Sequence, residues 1–316
     1  MTSPSPIGNT PIIYTPATIA DQLVTNIGSD QSLMATLEEQ ISSGNLVNVP
    51  SDNPVEAANI LQINSSLARA AQYSDNATDG LGWLSQGNAT MNQIISTLQQ
   101  VQQDVLSVSG ANLAGNSTAL QALASQVESA REELVQLSNT QYEGQAIFAG
   151  TGNVTAAYDA NGDYLGGGSA PTRTVSPGTQ VAVAVTGPSV FGTGSTGLLG
   201  NSTGNIGVLA QISADISTGT TSSLNQATTT DLQNLQNAIN QVESQASVLG
   251  AAYQQMQAFS QQASNSQTAL QTELSGVQST NIAQVSTELT QAQNSYQEAL
   301  WAASKVSQNS LVQFLS

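Results

Sequence analysis

The sequence predicts a mainly α protein. It should be an elongated antiparallel helical bundle or coiled-coil rod formed by both chain ends, with a small inserted β-rich domain. Three observations carry this. Near the N-terminus Ala20, Leu23, Ile27, Met34, Leu37 and Ile41 fall on one seam of alternating three- and four-residue spacing, missing a beat at Asp30. Near the C-terminus Ile282, Val285, Leu289, Ala292, Tyr296, Ala299, Ala303 and Val306 keep the same alternation unbroken. Such seams belong to helices that bury a narrow stripe against other helices. Between them lies a Gly-, Thr- and Val-rich stretch with strand character, so the two termini should lie side by side.

The elements follow in order. Residues 1–18 read as a flexible, Pro-punctuated tail. A first helix runs from about Thr18 to Ser43 and stops at Gly44. A non-helical link holds Pro50. Asn53-Pro54-Val55-Glu56 then reads as a helix start, with Asn53 as cap, Pro54 at the first helical position and Glu56 where a capping-box carboxylate belongs. Ile60, Ile63, Leu67 and Ala70 share one face of that helix. Leu81, Leu84, Met91, Ile94, Leu98, Val101, Val105 and Val108 form a second stripe, interrupted near Gly87. Gly110 to Gly115 makes a turn, and Leu120, Leu123, Val127, Ala130, Leu134 and Leu137 mark the returning helix. So short a connection implies an antiparallel hairpin.

Character changes near Gly144. Asn161-Gly162 between Tyr158 and Tyr164 is a hairpin-turn signal, and Val181, Val183 and Val185 alternate as in a half-buried strand. Helix resumes by Asp231, with Leu232, Leu235, Ile239, Val242, Ala246, Leu249, Tyr253 and Met256 as consecutive beats. The phase slips near Gln267 and resumes at Leu270, Leu274 and Val277, a change that can mark a domain joint. The expected division is a tail at 1–18, a terminal-helix domain at 19–44 plus 278–316, a helical rod at 45–147 plus 205–277, and a β-rich insert at 148–204. A lone amphipathic terminal helix gains nothing from its apolar stripe, so the terminal segments should be poorly ordered in the isolated monomer.

Composition excludes much. The 316 residues include no histidine and no cysteine. That removes the commonest general base, the commonest transition-metal ligand, thiol nucleophiles and every disulfide. Four basic residues, Arg69, Arg131, Arg173 and Lys305, stand against 21 acidic ones, for a net charge of −17. No nucleic-acid footprint exists, and an anionic membrane would repel the chain. No window approaches a membrane span. The N-terminus lacks the basic and apolar regions of a secretory signal peptide, so export would take another route. The polar surface must come from Gln, Asn, Ser and Thr, as in secreted surface proteins. Amides do not titrate, so it also suits an acidic medium.

Candidate chemistry dissolves on inspection. Glu38-Glu39 and Glu132-Glu133 are adjacent on helices, where neighbours do not face each other, and read as solvated faces. Asp159 to Asp163 lacks the spacing, glycine placement and closing Glu of a calcium loop. Trp83 and Trp301 read as packing anchors. No catalytic, cofactor-binding or metal-ligating residue is expected, and an enzyme is the least favoured class.

One stretch resembles a known family. Residues 41–58, ISSGNLVNVPSDNPVEAA, are similar to the N-terminal segment shared by flagellins and the hook–filament junction proteins of bacterial flagella. The matching positions are Ser42, Gly44, Pro50, Ser51, Asp52 and Pro54; Asn53 replaces a usual Asp. Phe148-Ala149-Gly150-Thr151, residues 173–192 and the terminal Asn309-Ser310-Leu311-Val312-Gln313-Phe314-Leu315 resemble the junction family rather than filament flagellin. The chain departs from the family in its longer N-terminal tail and in the near absence of Lys and Arg.

The resemblance implies a structural adaptor joining hook to filament, with the terminal helices in the inner tube wall. Leu23, Ile27, Met34, Leu37, Ile282, Val285, Leu289, Tyr296, Val306, Leu311 and Phe314 would then pack between subunits of a ring. Implied partners are the first hook-associated protein, flagellin, further copies of the chain and a cytoplasmic export chaperone; nucleic acid and membrane are not among them. Implied localisation is the extracellular flagellum, after type III export without a cleaved signal peptide. The alternatives are filament flagellin and a non-flagellar secreted coiled-coil adhesin; the Gly110–Gly115 reversal argues against the single parallel coil that a trimeric adhesin stalk needs.

Overall fold

A computed structural model describes the backbone of residues 16–110, 116–152, 154–202 and 204–315, and side chains from 18 to 108, within the two middle segments, and from 204 to 305. Most of the predicted tail, and residues 111–115 of the predicted turn, lie outside the described residues. Among the described residues the order is α1 (Pro16–Ser43), α2 (Pro54–Gly110), α3 (Ser117–Ser138), β1 (Gln141–Tyr142), β2 (Gln145–Ala146), β3 (Thr172–Ser176), β4 (Thr179–Ala182), α4 (Gly187–Phe191), β5 (Asn201–Ser202), β6 (Asn205–Ile206), α5 (Val208–Thr218), α6 (Thr221–Gln226), α7 (Leu232–Gln278) and α8 (Ile282–Leu315). The mainly α class holds: long helices from both ends pack on each other, and a few short antiparallel strand pairs lie between. The chain divides into two compact units, one through Leu67 and from Thr268 onward, the other Ala68–Gln267.

In the terminal unit α1 stops where Gly44 takes φ 71°, a left-handed conformation that a Cβ would strain. The start of α2 is capped: the N–H groups of Val55 and Glu56 donate to Asn53 Oδ1 at 3.2 Å each. Glu56 does not close a capping box; its carboxylate accepts from Asn59 Nδ2 at 3.4 Å. Asn281 caps α8 by accepting from the N–H of Gln284 at 3.3 Å.

The second unit is organised around one apolar core. Leu84, Met91, Ile94, Leu98, Val101 and Val105 of α2 are fully enclosed. They share the cluster with Leu120, Val127 and Leu134 of α3, and with Leu235, Ile239, Val242, Leu249 and Met256 of α7. Phe148, Val181, Val183, Phe191, Leu198 and Leu199 from the strand-rich stretch join the same cluster. The stripe breaks near Gly87, yet α2 runs through it without a break. A Cβ on Gly87 would make ordinary contact with Leu249 at 3.4 Å, whereas one on Gly80, about two turns earlier, would come within 2.6 Å of Met256 Cε.

One expectation needs refinement. Helix resumes at Val208, well before Asp231. Val208, Leu209, Ile212 and Ile216 of α5 are buried on one amphipathic face, which Gly- and Thr-rich flanks on both sides obscure. α7 runs unbroken through the phase slip at Gln267, and the boundary between the two units falls there.

The strand-rich stretch holds two-stranded pieces. β1 and β2 close through Glu143 and Gly144, both at positive φ, the geometry of a two-residue hairpin turn. β3 pairs antiparallel with β4, setting Arg173 opposite Val181, and β5 pairs with β6. At Asn161-Gly162 the predicted turn forms. Tyr158 and Tyr164 bridge antiparallel, and Asp159 Oδ1 accepts from the N–H groups of Asn161 and Asp163 at 2.9 and 2.8 Å.

Candidate functional site

The candidate site is the terminal helix pair and the joint that feeds it. α1 and α8 lie along each other. Leu37, Val285 and Ala292 are buried between them, with Met34, Ile41 and Leu289 packed alongside. Leu23, Ile27 and Tyr296 are half-buried. Ile282, the first residue of α8, is 53% exposed and does not join this cluster. Val306, Leu311 and Phe314 lie outside the residues whose side chains are described. Each terminal helix thus finds a partner in the other one within a single chain.

The pair is apolar on more than its seam. Ile19, Val24 and Leu33 of α1 and Leu300 and Trp301 of α8 are exposed. Val24 and Leu33 sit one position off the seam residues Leu23 and Met34, so the inward periodicity hides them. Trp301 is not the packing anchor expected: it is 68% exposed, with Lys305 Nζ 5.6 Å from its ring centroid. Trp83 is buried as expected. With Leu46, Val49, Val55, Leu61 and Ile282, ten of the fourteen exposed large apolar residues among the described residues fall in the terminal unit. Scattered exposed apolar residues are ordinary; their concentration in one unit marks an interaction surface.

The 41–58 motif forms the joint. Leu46 N–H donates to the Gln278 carbonyl at 2.7 Å and Thr280 N–H donates to the Gly44 carbonyl at 3.0 Å. Asn45 and Ser279 make an antiparallel bridge between them. The α1–α2 and α7–α8 connections are therefore tied as a miniature ladder. Asp52 Oδ2 accepts from the N–H groups of Asn48 and Val49 at 3.0 Å each, which folds the link back on itself. Ser42, Pro50, Ser51 and Pro54 are exposed. The motif's chemistry is conformational: a left-handed glycine, an Asp clamp, an Asn cap and a proline at the first helical position. Asp52→Ala should remove both clamp bonds at about 1–2 kcal/mol. Amide exchange at Asn48 and Val49, speeding severalfold while the core of 68–267 stays protected, checks this.

Charged groups elsewhere serve packing. Arg131, 4% exposed, donates to Glu128 at 2.8 Å and to the Leu199 carbonyl at 3.2 Å. Arg173 donates to Asp79 at 2.5 Å and lies 5.7 Å from the Trp83 centroid. Hydrogen bonds from Ser202, then Asn205, hold the Asp163 carboxyl below its ordinary range. Burial pushes both the Tyr158 and Tyr164 hydroxyls up. Among the described residues no group of three or more acidic side chains is placed to hold a metal ion, and no helix is long and apolar enough to cross a membrane.

Residues 17–153 match the family model described as the bacterial flagellin N-terminal helical region. Over that stretch the chain is similar to the flagellin N-terminal region. The matched stretch takes in α1, the joint motif, α2, α3 and the β1–β2 hairpin, while α8, the packing partner of α1, lies outside it. Two curated relatives are flagellar hook-associated protein 3 of Salmonella typhimurium, 28% identical over 173 residues, and of Escherichia coli K12, 27% identical over 172 residues. The chain spans about half the length of these relatives: each match covers 54% of this chain and 54% of the relative. Phase 1 flagellin of Salmonella naestved is 26% identical over 137 residues, 43% of this chain and 27% of that one. In fold the chain is similar to FlgL of Bacillus cereus, with a TM-score of 0.56 at 20% identity, over 68% of this chain and 99% of that one.

Proposed function

We propose that this protein is a structural adaptor of the bacterial flagellum, joining the hook to the filament. The observation that carries the reading is the extent of the matches: those to hook-associated protein 3 run over 54% of that protein, the flagellin match over 27%. The apolar outer faces of α1 and α8 support assembly as the mode of action. Copies of the chain would form a ring by burying those faces, with 19–44 and 278–316 in the tube wall. The first hook-associated protein would lie on one side of the ring and flagellin on the other. Export through the flagellar type III apparatus, with a chaperone on the C-terminal helix, would precede folding at the tip. No reaction is catalysed.

Immunogold microscopy of intact flagella, with an antibody to residues 150–204, tests the reading. Label is expected in one band between hook and filament. Label along the whole filament would make the chain a filament flagellin, the second reading that the 17–153 match favours.

A further inference from the structure

The terminal unit carries a cleft between the first turns of α2 and the last turns of α7, with a volume of about 270 Å3. Ile63, Leu270 and Val277 give it apolar surface, Asn59 and Gln62 line it with amides, and Glu273 is its one charge. That volume falls below the roughly 300 Å3 at which drug-sized ligand sites begin, so the cleft suits a single large side chain. Glu273 is exposed and joins no ion pair among the described residues.

A matching projection stands on the distal half of α8. Trp301 is the largest exposed apolar side chain among the described residues, and Lys305 Nζ lies 5.6 Å from its ring centroid. Lys305 is also the one basic residue of the terminal unit. Arg131 and Arg173 are paired with Glu128 and Asp79 inside the second unit. An ion pair between the terminal units of two copies must therefore use Lys305. The carboxylate it meets must also leave room for the indole beside it, and Glu273 at the cleft does so. Within one chain the two do not meet: α8 carries Lys305 about 35 Å beyond Ile282, while Glu273 sits about a turn and a half from the end of α7.

We propose that Trp301 of one copy of the chain seats in the cleft between α2 and α7 of a second copy, with Lys305 paired to that copy's Glu273. This rests on the assembly of copies proposed above and names its contact. The indole supplies the buried anchor typical of interface hot spots, and the ammonium beside its ring supplies the charge that fixes register. The two surfaces differ, so the contact is heterologous. Each copy offers α8 to one neighbour and its cleft to the next, an arrangement that builds rings or helical tiers rather than pairs.

The chain has no cysteine, so an engineered thiol pair is read without background. Glu273→Cys combined with Lys305→Cys is expressed in a strain lacking the native protein, and the isolated flagella are treated with a short bismaleimide. A ladder of covalent multimers is expected, and either substitution alone should give nothing beyond dimers. Incorporation without a ladder would overturn the proposal. A Glu273→Cys thiol that is then shielded from maleimide in the flagella would assign the cleft to a different protein. Should the double variant not incorporate, charge exchange decides. Lys305→Glu and Glu273→Lys should each cut incorporation roughly tenfold, and the two together should restore most of it. No loss in the single variants, or no rescue in the double, would also overturn the contact. The immunogold pattern is read separately. A ladder with label along the whole filament keeps this contact and removes the adaptor reading; a junction band without a ladder does the reverse.

Discussion

Val24→Asp combined with Trp301→Asp should abolish incorporation into flagella while leaving the chain folded. Both side chains are exposed, at 68% each, so neither substitution opens a cavity or buries a charge within the chain. Surface changes of this kind usually shift stability by no more than about 0.5 kcal/mol. In an assembly the arithmetic reverses. A tryptophan sealed in an interface is a typical hot spot, and truncating one costs about 2 kcal/mol or more per contact. Replacing it with a carboxylate adds the cost of burying an unpaired charge. In the proposed ring the loss would recur at every subunit contact. The measurement is incorporation of the variant into flagella of a strain lacking the native protein, beside the circular dichroism of the purified chain. A variant that still incorporates would show that these outer faces are not the assembly surface, and one that unfolds would show that the two side chains serve the fold instead.

Val285→Asp should act differently, because its target is the seam within the chain. Val285 is 5% exposed and faces Leu37 across the small core shared by α1 and α8. A carboxylate there has no basic partner on either helix nearby: Lys305, the one basic residue of α8, lies against Trp301, about five turns or more beyond Val285. The expected cost is about 3 kcal/mol or more. So small a core cannot absorb it, and α1 and α8 should separate. Hydrogen exchange should show protection lost at 30–41 and 282–296, with the stripe at 91–105 unchanged. Incorporation should fail as well, since an unpaired α1 has no fixed outer face to offer. Comparing the two variants separates the helix pair itself from the surface it presents. If Val285→Asp keeps full protection in both helices, the seam is not what holds them together.

The joint sets the two terminal helices side by side. Gly44 and Thr280 are far apart in sequence, yet the ladder between residues 44–46 and 278–280 fixes where α1 and α8 begin their contact. The miniature ladder is closed by backbone groups, which any sequence supplies. The selective parts are Gly44, which turns the chain, and Asp52, which folds the link back.

Much of this was legible in the residues, for reasons that can be stated. Periodicity over many turns marked α1, α3, α7 and α8, because a helix must put one face toward a partner and the stripe records that face. Local chemistry marked Gly44, the Asn53 cap and the Asn161-Gly162 turn, since positive φ and unpaired N–H groups call for few residue types. Absence was legible too: without histidine and cysteine, whole classes of site could be set aside before any fold was known.

What the sequence could not supply was the identity of each partner. The seam at Leu37 and Val285 says that something covers it; only the tertiary structure shows α1 and α8 covering each other. Periodicity searches for one face, so Val24, Leu33 and Trp301, which lie off it, emerged only as exposed surface. α5 was hidden by its glycine-rich flanks and is helical because Leu209, Ile212 and Ile216 enter the core beside α3. A chain pattern reports each residue's need for burial or a hydrogen bond. Which distant group meets that need is settled by packing, where the whole chain competes for the same interior.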